Sequence, residues 1–345
     1  MGLLTAQLPA ELLAAWDLSQ VQSVSRVAGG ELKEVFRLDL ADRSLALSLY
    51  PPKATPEIVA SELAFVAEFA TQMPEVPRPI PTTDGAPLFV DQTGRVAVLS
   101  EFIEGEHPDR AVAAHRRAAA QMLARLHTVA SNVRDPQARP GYPAWTELDW
   151  RDNQWWAWTR VQRFLHDSDL SDVPEPAKIE ERLAKGLEPL PGALLALADL
   201  DLPAIPIHND YFEGNLLCRD SRRDARRDGR RDARRDARIV GVVDWDEARL
   251  DWRAWEIANA TWSFSRAAEE HRMDTLTAQA FLADYESAGG EITDDERRVL
   301  VQLMRVRLLW ETLYELGRGC LGAQLDWQYL YGNLTALDGF SEEDL

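Results

Sequence analysis

Two short apolar runs, each closing on acidic residues, constrain this chain more than any other feature. The first opens "IPIHNDYFEGNLL" (205–217) and delivers His208, Asp210 and Asn215 into a polar loop that ends at Leu216 and Leu217. The second runs from Ile239 to Val243 and ends in Asp244, Trp245 and Asp246. Polar loops held between buried strands are where chemistry concentrates. Asn215 and Asp244 are 29 residues apart, of which 18 belong to the repeat "SRRDARRDGRRDARRDAR" at 221–238; the remaining 11 fit two arms of a β-hairpin. Extra length at a hairpin tip costs little entropy, so one hairpin is expected to present Asn215 and Asp244 to a single site.

That residue set suits phosphoryl transfer, in which the protein holds hard oxygen ligands around Mg²⁺ and orients an attacking hydroxyl. Asp244 and the Asn215 amide oxygen suit the ion, and Asp210 suits the hydroxyl proton. Asp-x-x-x-x-Asn by itself reads more readily as a turn capped by Asp and Asn. The second apolar strand ending in Asp-Trp-Asp is what turns the reading towards function.

The rest of the chain narrows the class. At 345 residues it exceeds the usual size of one core, so two lobes are expected. No run approaches the ~18 apolar residues of a membrane span, and "MGLLTAQLPAELLAAWDL" reads as a short amphipathic helix rather than a signal peptide. Cys218 and Cys320 alone make neither a disulfide framework nor a thiolate metal site, and a cytoplasmic protein is expected. The formal charge is −19; the repeat carries nine Arg against four Asp, so the remaining chain is near −24. Such a body repels nucleic acid and anionic membranes and suits cationic small molecules. The repeat has no aromatic residue for base stacking and reads as a solvated loop expansion.

Between about Val21 and Leu99 the pattern is strand-rich, with "SVSRVAGG", "EVFRLDL" and "SLALSLY" separated by turn signals. One helix interrupts, "TPEIVASELAFVAEFATQM", opened by Thr55 as N-cap and Pro56 at the first position. "RVAVLSEFIEGE" reads as a further strand entering a connecting segment. Beyond Pro108 the pattern is helical, and "AVAAHRRAAAQMLARLHTVA" places Met122, Leu123 and Leu126 on one helix face.

"IHNDYFEGNLL" with "VVDWDEARLDWRAWEIA" resembles the aminoglycoside phosphotransferase, choline kinase and homoserine kinase superfamily, which shares the protein kinase fold. The usual wording there is His-Gly-Asp-x-x-x-x-Asn, then Asp-Phe/Trp-Asp/Glu and an Asp-Leu-Ala helix. Here Asn209 stands for the Gly and Glu256 for the Asp. The likeness extends over about residues 20–265, taking in "AGGELKEVFRL" as a glycine loop with Gly29 and Gly30, and "SEFIEGE" as an interlobe hinge with Ser100 and Phe102. It implies an α+β, bilobal protein kinase-like fold with a small N-terminal antiparallel β lobe and a larger, mainly α-helical C-terminal lobe. The ATP-binding lobe would be 1–104, with its hinge at 99–104. The catalytic and acceptor-binding lobe would be 105–345, with 221–238 inserted in a hairpin. The resemblance also implies ATP and Mg²⁺ as cofactors, Asp210 as base, Asn215 and Asp244 as metal ligands, and His208 as a brace for the loop.

One departure stands out. The third strand of this fold carries a Lys or Arg that grips phosphates and pairs with a helix Glu, whereas "SLALSLY" has Ser48 there; Glu62, in "ASELAF", is the matching carboxylate. The chain has four lysines, Lys33, Lys53, Lys178 and Lys185. Lys33 lies in the glycine loop, which resembles the placement in with-no-lysine protein kinases, and is expected to pair with Glu62 and contact the phosphates. An exposed strand lysine in a weakened kinase is the alternative.

The acceptor is less constrained. "DWRDNQWWAW" lies where this superfamily often supports acceptor binding, and aromatic faces beside carboxylates hold ammonium groups, although Trp at helical spacing is more often core. Trp150, Trp155, Asp246 and Glu311 are the candidate contacts. A small hydroxyl acceptor bearing an amino group is expected: an aminoglycoside, amino sugar, choline-like alcohol or homoserine. A Ser/Thr protein kinase of the bacterial stress-response type and a nucleotide-binding pseudokinase remain as other readings.

Overall fold

The structure is a computed structural model and describes residues 8–27, 33–133, 139–171, 173, 175–220, 237–267, 272–340 and 345. The chain divides into two compact units, 1–141 with 205–250, and 142–204 with 251–345. The stretch 1–104 lies wholly within the first unit, which also takes in residues 205–250.

The first unit begins with the short helix α1 (Ala10–Ala15) and an antiparallel sheet of β1 (Ser23–Arg26), β2 (Glu34–Asp39), β3 (Ser44–Leu49), β4 (Pro79–Ile80), β5 (Phe89–Val90) and β6 (Val96–Glu101). Its order is β1-β2-β3-β6-β4, with β5 also paired to β6. The alternation expected in "SLALSL" is observed: Leu45, Leu47 and Leu49 are buried on one face of β3, against Leu12, Trp16, Leu38 and Leu99. Side chains of this size each contribute about 1.5–3 kcal/mol by burial, and they fix the register of β3 by committing one face to the core. The other parity of the strand, Ala46 and Ser48, continues into Tyr50, which packs with Val59, Leu63, Val96 and Val98.

Val59 and Leu63 belong to helix α2 (Pro56–Gln72). Thr55 Oγ1 accepts from Ile58 N–H and Pro56 occupies the first turn, as its sequence signals require. Helix α3 (Ala113–Ala130) buries Met122, Leu123 and Leu126. After β7 (Ala204–Ile207) come β8 (Leu216–Asp220) and β9 (Ala237–Val242), an antiparallel pair running from Leu216 opposite Val242 to Asp220 opposite Ala237. The expected hairpin is therefore present. Ala237 and Arg238, assigned from the sequence to the inserted repeat, are part of β9, and 221–236 lies outside the described residues.

The second unit is mainly helical: α4 (Trp158–Asp167), α5 (Ala177–Leu187), α6 (Leu190–Ala198), α7 (Arg253–Ser265), α8 (Thr275–Ser287), α9 (Asp294–Gly319) and α10 (Trp327–Gly339). The short strands β10 (Arg249–Trp252), β11 (Arg266–Ala267) and β12 (Arg272–Met273) were not foreseen in a stretch that reads as helix. Within this unit Trp145, Trp150, Trp156 and Trp310 stack and tilt against one another, with centroids 5.1–6.1 Å apart. Among the described residues no helix is long and apolar enough to cross a membrane.

Candidate active site

The loop after β7 is held in place by three anchors. His208 Nδ1 accepts from the Asp210 backbone N–H at 3.3 Å, so its other ring nitrogen carries the proton and donates to the Val243 carbonyl at 2.9 Å. His208 thus ties the loop to the backbone just beyond β9. The buried Tyr211 hydroxyl donates to the Ala119 carbonyl of α3 at 2.7 Å. The Trp245 ring lies between His208 (4.8 Å) and Phe69 of α2 (4.9 Å), while its indole N–H donates to Val242 O. A site whose supports are buried keeps its geometry when substrate arrives.

The backbone at two site positions explains which residues can occupy them. Asn209 has φ +68° and Asp244 φ +65°, a left-handed conformation open to Gly and, among other residues, best tolerated by Asn and Asp. The Gly of the customary His-Gly-Asp wording and the Asn here answer one backbone demand. Strain of this kind gathers at functional sites.

The single turn Glu213–Asn215 brings Asn215 back to Asp210. Asn215 Nδ2 donates to the Asp210 carbonyl at 2.9 Å and to Asp210 Oδ2 at 2.8 Å, and the Asn215 carbonyl accepts from Val243 N–H at 2.9 Å. Asp210, Asn215 and Asp244 are thereby joined through two arms of one hairpin. Asp246 adds a further carboxylate, near enough to Asp244 for their charges to interact.

Lys33, immediately before β2, points into this acidic group. Its Nζ lies 2.5 Å from Asp244 Oδ1 and 5.3 Å above the Tyr50 ring, and only 8% of the residue is exposed. Burial works against its charge, but Asp246, Tyr50, Asp244 and Glu62 outweigh it and hold its pKa well above the ordinary lysine value. Burial likewise opposes ionisation of Asp244, yet the Lys33 ammonium, by its charge and its hydrogen bond, keeps it below the usual carboxylate range. Asp246 moves the other way: burial raises it, and Asp244 and Asp210 add to the rise against the pull of Lys33.

The expected pairing of Lys33 with Glu62 is not what the structure holds. Glu62 Oε1 accepts from the Tyr50 hydroxyl at 2.7 Å, and Lys33 goes instead to the greater concentration of negative charge at Asp244 and Asp246. Glu62 is buried, its Oε2 has no hydrogen-bond partner, and burial pushes its carboxyl up to about 7. Tyr50 was missed by sequence reasoning, although it follows Ser48 by two positions and so lies on the same face of the strand. Ser48 itself pairs across the sheet with Val35 and Val98. Trp245, which orders the Asp-Trp-Asp turn, and Glu247, pushed up to about 7 by burial and the neighbouring Asp246, were also missed.

The donor set fits Mg²⁺. Among the described residues no three His, Cys, Asp or Glu side chains could hold a metal by themselves. The ion needs few protein ligands, because waters and phosphate oxygens complete its shell. Asn215 spends its amide nitrogen on Asp210, which leaves the amide oxygen as the end that faces a cation.

Gly29 and Gly30 lie outside the described residues. Ser100 sits in β6 opposite Ala46 and Pro79, and the Phe102 ring is covered by the Arg37 guanidinium at 4.7 Å. In the second unit Trp150 is 3% exposed, a core residue rather than a wall for substrate. Trp155 is half-buried against Trp310 at 4.9 Å. Glu311 has both oxygens committed, to Arg307 at 2.5 Å and to the Tyr329 hydroxyl at 2.7 Å, so a helix-spaced partner explains it without a substrate.

An antiparallel sheet with a buried helix glutamate, a loop ending in Asp-x-x-x-x-Asn and a hairpin whose second strand runs out into acidic residues define a kinase-like phosphotransferase. The chain belongs to the phosphotransferase enzyme family (APH), whose model matches residues 23–290. It is 26% identical over 290 residues to the homoserine kinase of Rhodopseudomonas palustris (strain BisA53), covering 80% of this chain and 73% of that protein. It is 25% identical over 311 residues to the homoserine kinase of Rhizobium meliloti (strain 1021), covering 88% and 82%. Among solved structures, the microcompartment-associated aminopropanol kinase superposes with TM-score 0.62 at 18% identity over 94% of each chain. The amicoumacin kinase hAmiN, solved with AMP-PNP, Ca²⁺ and Ami, superposes with TM-score 0.64 at 11% identity over 96% of this chain and 93% of that one. The fold is the α+β protein kinase-like fold read from the sequence, and the chain is an enzyme of the small-molecule kinase class.

Proposed function

We propose that this chain transfers the γ-phosphoryl group of ATP, bound with Mg²⁺, to the hydroxyl of a small alcohol that carries an amino group. The observation that carries the reading is that Asn215 holds Asp210 and the Val243 backbone, the residue before Asp244, through hydrogen bonds of 2.8–2.9 Å. Asn215 and Asp244 would hold the ion, which when bound spreads phosphate charge and leaves the γ-phosphorus open to attack. Asn215 Nδ2 fixes one Asp210 oxygen and so aims the carboxylate. Asp210 accepts a hydrogen bond from the acceptor hydroxyl and takes its proton as the new O–P bond forms and the bond to ADP breaks. Positioning supplies most of the acceleration in such a reaction, which is why the His208, Tyr211 and Trp245 anchors matter.

Support for the acceptor class comes from the relatives, named for homoserine, and from a structural neighbour named for aminopropanol; both names describe amino alcohols. The net charge of −19 favours a cationic partner. Against a nucleotide-sensing pseudokinase stands a buried lysine set among the acids that a phosphate-binding site requires.

The test is ATP consumption with Mg²⁺ across homoserine, aminopropanol, choline-like alcohols, amino sugars, aminoglycosides and a protein acceptor. Turnover with one amino alcohol is expected, falling at least ~10²-fold in Asp210→Asn. Measurable Mg·ATP binding with no turnover on any acceptor would overturn the reading.

A further inference from the structure

The Asp-Trp-Asp turn does not end the charged part of this region. Glu247 follows it directly and Arg249 opens β10 two residues later, while Arg139 arrives from the segment after α3; all three belong to the first unit, together with Asp210. Both arginines are buried, Arg139 at 8% and Arg249 at 7% exposure. Arg139 Nη1 lies 3.9 Å from Glu247 Oε2, a charge contact too long for a hydrogen bond. Glu247 is the hub: the charges of Asp246, Arg139, Arg249 and Asp210 all reach it. It is recessed enough for burial to push its carboxyl up to about 7, yet 39% of its side chain is open to solvent. A charged recess beside the proposed base, reached by solvent at one end, has the form of a small-molecule site.

The charge balance of the recess identifies what it would take. A guanidinium keeps its charge at any physiological pH. Glu62 and Glu247, on which the Arg139 charge acts, are both pushed up to about 7 by burial, so near neutral pH each is ionised only part of the time. Buried charges repay their desolvation only through close, hydrogen-bonded geometry. A guanidinium set 3.9 Å from a partly ionised acid is not an arrangement that stability alone selects.

We infer that Arg139 and Arg249 hold a carboxylate of the acceptor and that Glu247 beside them receives its ammonium, so that the preferred acceptor is a hydroxy amino acid rather than a plain amino alcohol. This rests on the phosphoryl-transfer reading above and deepens it by assigning the acceptor an anionic group and that group a place. A guanidinium matches a carboxylate in shape and donates two parallel hydrogen bonds to it. Fixing acid and amine at one end of a short molecule leaves its hydroxyl a single orientation towards Asp210, the kind of positioning on which the transfer depends.

Two matched pairs of acceptors test it. The linear aminopropanol is homoserine without its carboxylate, and ethanolamine is serine without its carboxylate. Steady-state kinetics on the full chain with MgATP gives kcat/KM for each acceptor, for wild type, Arg139→Gln and Arg249→Gln. In wild type the carboxylated member of at least one pair should be preferred by ~10²-fold or more. In each arginine variant that ratio should fall at least ~10-fold, through the KM of the carboxylated acceptor, with the KM for ATP within about twofold of wild type. A wild type that uses the plain amino alcohol as well as its carboxylated partner, or variants that lower both members equally, would overturn the proposal. So would a change confined to the KM for ATP, which would put the guanidiniums on the nucleotide. Arg139→Lys and Arg249→Lys keep the charge and lose the two-pronged geometry; they repeat the measurement if the Gln variants do not fold, and the wild-type ratio needs no variant. Turnover without a carboxylate preference removes this inference and leaves phosphoryl transfer standing. Bound MgATP with no turnover on any acceptor removes both.

Discussion

Asn215 Nδ2 sits 2.8 Å from Asp210 Oδ2 and 2.9 Å from the Asp210 carbonyl, so one amide fixes both the side chain and the backbone of the proposed base. Its value can be separated from the base's own. Asp210→Asn keeps the shape and removes the proton acceptor; kcat should fall at least ~10²-fold while Mg·ATP affinity stays within about threefold. Asn215→Asp sets a second carboxylate against Asp210 and gives up the donor, so kcat should fall as far and the KM for ATP should change as well. Steady-state kinetics on both variants checks this. An Asp210→Asn enzyme with wild-type kcat would remove Asp210 from the chemistry.

Glu62 makes stability depend on pH in a specified direction. Its folded carboxyl keeps its proton to about pH 7, against 4.5 for an ordinary glutamate, because burial outweighs the attraction of Lys33. Between those values the folded chain binds more protons than the unfolded chain, so stability falls as pH rises from about 4.5 to about 7 and then levels off. Glu247, also raised to about 7 by burial, adds a slope of the same sign. Glu62→Gln cannot ionise and should remove part of the decline. Thermal midpoints of ligand-free protein from pH 5 to 8 test it, and an unchanged slope in Glu62→Gln would count against the assignment.

What could be read from the sequence follows the range of the interactions involved. Asp210 and Asn215 lie in the loop leading into β8 and Asp244 just beyond β9, a spacing that is local once the repeat is set aside, and the hairpin pairing from Leu216 to Asp220 is the one that spacing implies. Thr55 and Pro56 act within one helical turn, and they cap α2 as expected. The partners of Lys33 are set by side chains that meet only through tertiary packing, at separations no pattern encodes, and so Tyr50 was overlooked and Glu62 assigned to the wrong cation. The Trp-rich segment fails for a related reason. An aromatic run reads alike whether it lines a substrate or fills a core, and for Trp150 burial against Trp145, Trp156 and Trp310 decides for the core.

The buried pair Arg253–Glu296 should carry much of the second unit's stability. Arg253, first residue of α7, donates from Nε and Nη2 to the two Glu296 oxygens at 2.9 and 2.7 Å. Glu296 is fully buried and also closes a capping box with Thr293 at the start of α9. Glu296→Ala leaves the buried guanidinium with only the exposed Glu291 carboxylate, 3.6 Å from Nη1, and should cost about 3 kcal/mol, a fall in Tm on the order of 10 °C. Thr293→Ala, which removes only the cap, should cost about 1 kcal/mol. Calorimetric unfolding of both variants makes the comparison, and equal losses would mean that the cap, not the ion pair, is the stabilising contact.

The hairpin tip offers a test of whether the Arg-rich segment takes part in function. Asp220 stands directly opposite Ala237 at the end of the β8–β9 ladder, the register from which a two-residue turn closes an antiparallel pair. Replacing 221–236 by Asn-Gly should therefore leave the ladder intact, together with Asn215 at the foot of β8 and Asp244 beyond β9. The substitution removes eight Arg and four Asp, a net +4, and makes an acidic chain more acidic. With the amino-alcohol acceptor kcat should be unchanged within about twofold. Association with anionic MgATP should slow modestly at low ionic strength and recover with added salt, because exposed charges are screened beyond about 10 Å at 0.1 M. A kcat that collapses in a folded variant, with Tm preserved, would mean that the segment contributes to the site itself and that its reading as a tolerated expansion is wrong.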